Sequence, residues 1–292
     1  MVTVRAPATS ANLGSGFDVF GVALDRPADV VRVERADETT ITVRGAGSEY
    51  VPEDPEKNTV GAVARALDAP AHIAIDKGVR PSSGLGSSAA SAAAAAVALD
   101  ALYDLGRSRE ALVHVAAEGE ALVSGEAHAD NVAPAILGGF TIVTPGGITR
   151  IDASLSLVAC LPETVVSTRD ARRVVPRDAS LDELVATVGA AATLTAGMAR
   201  DDPELVGRGM CEEIVTPKRA ALIDGYDAVR DAARAAGATG VTVSGAGPAV
   251  LAVCRRADRR AVASAMIDAF DDAGIESRAY QTRVGDGAVV YE

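Results

Sequence analysis

The sequence predicts an α+β fold in two domains. Strand-like and helix-like segments are interspersed along the whole chain, and their order in the second half suits an α/β sandwich. At 292 residues and 48% hydrophobic, the chain can bury substantial cores and exceeds one typical domain. Glycine-rich stretches recur near residues 12–16, 84–86 and 245–247, spread over nearly the whole chain.

In chain order, residues 2–6, 30–35 and 40–44 read as strands through their β-branched content, 58–67 as a helix and 72–76 as a strand. A long Ala-rich helix starts at Ser87 and runs to about Ala101. Residues 109–125 carry apolar positions at helical spacing and end at a glycine, and 138–144 read as a strand entered through a glycine pair. From Leu155 the order is a strand, helices through Met198, helices over 205–214 and 218–236, strands 241–244 and 249–254, a helix 258–273 and a strand 277–284. No Pro- or Gly-rich linker marks a boundary, so the division falls near residue 150, giving domains 1–150 and 151–292.

The segment Pro81-Ser-Ser-Gly-Leu-Gly-Ser-Ser-Ala-Ala90 describes a phosphate cradle. Gly84 and Gly86 let backbone approach an anion closely, and Ser87 and Ser88 open a helix whose first-turn N–H groups and dipole favour negative charge. The plain alternative is a loop followed by an ordinary helix cap, but a cap needs one hydroxyl and this stretch supplies several. It fits neither G-x-x-x-x-G-K-[ST] nor G-x-G-x-x-G, which disfavours P-loop and Rossmann folds.

The net charge of −12 divides as −7 over residues 1–150 and −5 over the rest, so neither half offers the basic stripe that nucleic acid requires. Lys57, Lys77 and Lys218 are the only lysines against 25 arginines. An acidic, lysine-poor surface suits a protein kept soluble in high salt, and a codon bias toward Arg, Ala and Asp is the alternative. The Ala-rich run is too short and too weakly apolar to span a membrane, and no secretory signal is evident, so the cytoplasm is expected. Cys160, Cys211 and Cys254 are odd in number and widely spaced, and read as reduced core thiols.

The phosphate-cradle segment resembles the central ATP-binding motif of the GHMP kinases, the superfamily of galactokinase, homoserine kinase, mevalonate kinase and phosphomevalonate kinase. Ala6-Pro-Ala-Thr-Ser-Ala-Asn-Leu-Gly-Ser-Gly-Phe-Asp-Val-Phe-Gly-Val-Ala-Leu24 resembles the family's first motif in the form that homoserine kinases carry, and Val243-Ser-Gly-Ala-Gly-Pro-Ala-Val-Leu-Ala-Val253 its third. The three stand in family order across nearly the whole chain. The resemblance implies an N-terminal domain like ribosomal protein S5 domain 2, a ferredoxin-like C-terminal domain, a cleft between them that holds the reactants, and a homodimer.

Gly125-Glu-Ala-His-Ala-Asp-Asn-Val-Ala-Pro-Ala-Ile-Leu-Gly-Gly139 is similar to the acceptor-site segment of homoserine kinases. Carried over by position, the resemblance places Asn12, Asp18, His128, Asn131, Thr168, Arg172 and Arg219 around L-homoserine. The set is chemically apt. Asp18 would take the ammonium and Arg172 and Arg219 the carboxylate, while Asn131 and Asn12 would hold the hydroxyl. An acceptor without the amine would leave Asp18 desolvated and unpaired. On residue type alone, Asp18 is a surface-turn carboxylate, Arg172 and Arg219 are solvated helix charges, and His128 is a satisfied loop histidine.

For the nucleotide, the resemblance implies that Pro81, Ser82, Ser83, Gly84, Leu85, Gly86, Ser87, Ser88, Ala89, Ala90 and Ser91 wrap the phosphates of ATP. It also implies that Asn58 and Lys77 lie on the adenosine side or near the phosphates, and that Ser88 and Glu120 hold Mg²⁺. The alternative for Glu120 is an exposed helix charge beside Glu118 and Glu126. The reaction implied is phosphorylation of homoserine, with Arg172 and Asn131 at the catalytic centre and Asn131 orienting the hydroxyl where relatives offer an aspartate base. Shikimate and mevalonate kinases of the superfamily are the alternative acceptor classes.

Overall fold

The computed structural model describes residues 1–124, 127 and 129–291. Two sheets organise it. The first joins β1 (Val2–Ala11), β2 (Phe20–Arg35), β3 (Thr40–Gly45), β4 (Ala71–Lys77), β5 (Phe140–Thr144), β6 (Gly147–Ile151) and β11 (Val289–Tyr291). Its spine runs β11-β1-β2-β4-β3, antiparallel except for the parallel β3–β4 pair, with β5 and β6 branching from β2. The second sheet joins β7 (Ser156–Pro162), β8 (Ala238–Val243), β9 (Val250–Cys254) and β10 (Ser277–Arg283) in the antiparallel order β10-β7-β9-β8, the ferredoxin-like arrangement that the motif resemblance implies.

Helices α1 (Thr59–Ala66), α2 (Ser87–Tyr103), α3 (Arg109–Ser124) and α4 (Ala129–Leu137) cover one face of the first sheet. α2 is the pivot of that layer. Every residue from Ala89 to Leu99 is buried, as expected of a helix that is apolar all round, and its methyl-sized side chains let β1 and β2 approach from one side and α1, α3 and α4 from the other. The Ala-rich run is thus a buried strut packed across the first sheet.

The remaining helices are α5 (Thr168–Arg173), α6 (Leu181–Ala199), α7 (Pro203–Gly209), α8 (Thr216–Ala220), α9 (Tyr226–Ala235) and α10 (Arg259–Asp272). β7 is buried on both faces. Leu157, Ala159 and Leu161 join a core shared with Val22, Leu24 and Phe140 of the first sheet and with Leu194, Met198 and Val206 of α6 and α7. Val158 and Cys160 point the other way, into a core under α9 and α10 with Val229, Met266 and Phe270. The edge-on Phe20–Phe140 pair, 5.0 Å between centroids, sits in the shared core that joins the two sheets.

Several sequence expectations need correction. β1 runs on to Ala11 and β2 begins at Phe20, so the first glycine motif is a loop between two paired strands. The helix expected over 205–214 is α7, which begins at Pro203 behind the Asp202 cap and ends at Gly209. The helix expected over 218–236 is two helices, divided before Gly225, whose φ of 80° fits no right-handed helix. The strand expected from Gly138 starts at Phe140, because Gly138 and Gly139 both take positive φ and form the turn. Burial pushes the Cys160 thiol up to about 12 and that of Cys254 up to about 11, in keeping with core thiols, whereas Cys211 is exposed.

Candidate active site

The three glycine motifs meet. At the end of β1, the Thr9 N–H donates to the Leu85 carbonyl at 3.1 Å, and Ser244 Oγ donates to the Gly84 carbonyl at 2.7 Å and lies 2.8 Å from Ser10 Oγ. The Ala249 N–H donates to the Ser83 carbonyl and the Gly245 N–H to the Ala11 carbonyl. Only glycine fits at two of these crossings. A Cβ on Gly84 would stand 2.6 Å from the Ser244 carbonyl oxygen, and one on Gly86 would collide with Thr9 Oγ1 and press on Asn131 Oδ1.

The interlocked loops border a cavity of about 350 Å³. Its lining includes Pro81, Ser82, Ser83, Gly84, Gly86, Ser87, Ser88, Ala89 and Ser91, together with Asn58, Lys77, Glu120, Asn131, Thr168, Gly245 and Gly247. Leu85 and Ala90 are not part of that lining, because both side chains turn into the hydrophobic core. Gly86, in the left-handed region at φ 63°, is the N-cap of α2 and no side chain caps the helix, which leaves the first-turn N–H groups to face the cavity. Ser88 is exposed there, whereas Ser87 Oγ is committed to the Val79 carbonyl at 2.7 Å.

The floor beneath this loop is ionic. Lys77 and Asp29 form a buried pair, the ammonium also donating to the Ser87 carbonyl at 2.8 Å and to Ser91 Oγ at 2.9 Å. Asp29 accepts in addition from Ser91 Oγ and from the N–H groups of Gly78 and Val79. Burial draws the Lys77 ammonium below the usual lysine range, and the Asp29 charge opposes that shift. Lys77 therefore ties the start of α2 to β4. Asn58 is likewise occupied, its Oδ1 capping α1 through the Val60 N–H and its Nδ2 donating to the Pro52 carbonyl at 2.6 Å.

Glu120 sits on α3 with 1% exposure and lines the cavity, so it is not a solvated helix charge. Among the described residues no cluster of three or more His, Cys, Asp or Glu side chains is placed to hold a metal by itself. A buried carboxylate and a hydroxyl, Glu120 and Ser88, on one cavity are nevertheless the kind of hard oxygen donors that Mg²⁺ shares with nucleotide phosphates.

Beside the cavity lies a charged cluster built on the first-motif loop. Asn12, Leu13 and Gly14 follow one another at positive φ, and Asn12 Oδ1 accepts from the Asp18 N–H at 3.0 Å, closing a tight turn. Asp18 Oδ2 accepts from Arg172 Nη1 at 2.6 Å, with the two side chains 48% and 36% exposed. Arg219 is buried, its Nη1 donating to the Gly245 carbonyl at 2.7 Å and its Nε to the Ala171 carbonyl at 3.3 Å. Asn12 Nδ2 donates to the same Gly245 carbonyl, so that one backbone oxygen joins the cluster to the cavity. Asn131, on α4, receives the Thr9 hydroxyl at Oδ1, 2.9 Å away. Thr168, the first residue of α5, is exposed at the cavity wall. His128 lies outside the described residues.

Sequence reasoning missed Asp29, Thr9 and Phe17 in this region. Asp29 pairs across 48 residues, and the side chains of Thr9 and Phe17 carry no charge to draw attention to them. No helix among the described residues is long and apolar enough to cross a membrane.

Comparison with known proteins agrees with this geometry. The chain matches the GHMP kinases N terminal domain over residues 57–139 and the GHMP kinases C terminal domain over 194–272. It is 71% identical to the homoserine kinases of Natronomonas pharaonis and Haloarcula marismortui, in each case over the whole of both chains. The crystal structure of homoserine kinase from Cytophaga hutchinsonii superposes with a TM-score of 0.91 at 37% identity, covering 99% of this chain and 97% of that one. Mevalonate kinase from L. major, at 15% identity and a TM-score of 0.75 over 97% of this chain and 95% of that one, shares the fold. With its glycine motifs interlocked around one cavity and full-length identity of this order, the chain belongs to the homoserine kinases of the GHMP kinase family.

Proposed function

We propose that the protein transfers the γ-phosphoryl group of ATP to the side-chain hydroxyl of L-homoserine, giving O-phospho-L-homoserine and ADP. The observation that carries the reading is the shared Gly245 carbonyl, which sets a cluster of one carboxylate and two guanidinium groups against a cavity walled by an uncapped helix N-terminus. Such a cluster suits a zwitterion. Asp18 takes the ammonium, Arg172 and Arg219 the carboxylate, and Asn12 and Thr168 border the acceptor. The loop from Pro81 to Gly86 and the first turn of α2 bind the phosphates, while Lys77 and Asn58 support them from behind.

Asn131 orients the attacking hydroxyl, its own carboxamide oriented by Thr9. Phosphoryl transfer through a loose transition state relies on alignment and charge stabilisation more than on a strong base. Ser88 and Glu120 would hold Mg²⁺, which when bound neutralises phosphate charge. Closure of the cleft would exclude water from the reacting group.

A coupled ADP-release assay with L-homoserine, 4-hydroxybutyrate, mevalonate and shikimate tests the reading. L-Homoserine is expected to be the best acceptor. 4-Hydroxybutyrate should fall by about tenfold in kcat/KM, the value of one charged hydrogen bond, because a half-exposed Asp18 that already pairs with Arg172 is not stranded in a dry site. Mevalonate or shikimate turnover as efficient as that of homoserine would overturn the assignment.

The same reading includes a homodimer. Leu181, Leu184, Val185 and Val188 stand at helical spacing along the first half of α6 and are each more than half exposed, an apolar stripe that supports association. Light scattering in molar KCl is expected to give twice the 29.6 kDa chain mass, and the mass of a single chain would remove the dimer.

A further inference from the structure

Phe17 lies in the tight turn between Asn12 and Asp18, and two guanidinium groups from different helices stand over its ring. The Arg219 carbon, from α8, is 4.9 Å from the ring centroid and the Arg172 carbon, from α5, is 5.3 Å away. Both distances fall within the range of cation–π attraction. The two arginines are held unequally in other respects. Arg219 is buried and anchored on two carbonyl oxygens, whereas Arg172 is over a third exposed and reaches across from α5 to Asp18. An exposed arginine carries considerable rotamer freedom, and fixing it costs binding energy unless something holds it beforehand.

The geometry points to Phe17 as the positioning residue of the acceptor site. Its ring is a common platform that spaces the two guanidinium forks for an α-carboxylate. The negative ring face offsets the repulsion between two neighbouring cations, while the bonds of Arg172 to Asp18 and of Arg219 to the Ala171 and Gly245 carbonyls fix how their forks are turned. Its apolar body also keeps water from one side of each fork, which strengthens their pull on an anion. Phe17 is partly buried, yet it belongs to none of the three hydrophobic cores. Its contacts with the two arginines therefore account for its place in the fold better than packing does. The inference rests on the proposed reading of Arg172 and Arg219 as the carboxylate clamp.

The test compares wild type with Phe17→Leu and Phe17→Tyr, using L-homoserine and L-homoserine amide as acceptors. Phe17→Leu keeps an apolar side chain but loses the ring face, and should raise the KM for L-homoserine about tenfold while leaving the KM for ATP unchanged. Because the amide lacks the carboxylate charge, its KM should move far less, so the preference for homoserine over the amide shrinks. Phe17→Tyr keeps the ring face and should behave like wild type, and a thermal midpoint within a few degrees of wild type will show that both variants fold. An unchanged homoserine KM in Phe17→Leu overturns the inference, as does an equal rise with both acceptors or identical behaviour of the Leu and Tyr variants. A wild type that does not phosphorylate homoserine overturns instead the reading on which the inference rests.

Discussion

Glu120→Gln is expected to lower kcat/KM for homoserine by about three orders of magnitude while leaving the protein folded. The substitution keeps the shape of a side chain that is 1% exposed on the cavity wall and removes only its charge. A metal contributes several kcal/mol of transition-state stabilisation, and each ~1.4 kcal/mol lost costs a factor of ten in rate. Raising Mg²⁺ should recover part of the rate, because affinity and position of the ion are both affected. Turnover measured against Mg²⁺ concentration, alongside a thermal melt, checks this. Normal turnover with normal Mg²⁺ dependence would leave Glu120 without a role at the metal.

The glycine motifs were readable because their chemistry restricts them. Gly84 and Gly86 sit where a Cβ would strike backbone or Thr9, so no other residue type could disguise the loop. The Ala-rich start of α2 was readable for a similar reason, since a helix buried on all sides between a sheet and three helices needs side chains of methyl size.

Where sequence reading fell short, distance or a misleading local signal intervened. α4 carries Pro134 in its interior, which reads as a break although the helix continues through it. β6 and β11 are short and largely exposed, too brief to show an alternating pattern, and β11 gains its pairing from β1 at the other end of the chain. Residues 218–236 carried helical periodicity across Gly225, yet α8 ends at Ala220 and the chain turns before α9 starts behind the positive φ of Gly225. At the site, Arg219 looked like a solvated cation because nothing local announces the carbonyls of Ala171 and Gly245 that bury it. Phe17 looked like one more apolar residue of a motif because its partners are 155 and 202 positions away in sequence.

Lys77→Met is expected to cost about 3–5 kcal/mol of stability, the cost of breaking a buried ion pair by removing one partner. Asp29 would stay behind at 0% exposure, still accepting from Gly78, Val79 and Ser91 but without the ammonium that pairs with it. The loss would not be only thermodynamic. Lys77 also donates to the Ser87 carbonyl, so the first turn of α2 loses its tether to β4 and nucleotide affinity should fall with the melting point. Salt separates this pair from the rest of the electrostatics. With a net charge of −12 spread over an acidic surface, the wild-type midpoint should rise between dilute buffer and molar KCl as self-repulsion is screened. The Lys77–Asp29 pair is shielded from ions by burial, so the gap between wild type and variant should persist across that range. Thermal unfolding of both proteins at several KCl concentrations decides two points at once. A wild-type midpoint indifferent to salt would dismiss the high-salt adaptation, and a gap that closes in molar KCl would mean that the pair is solvated and not the buried floor of the glycine loop that precedes α2.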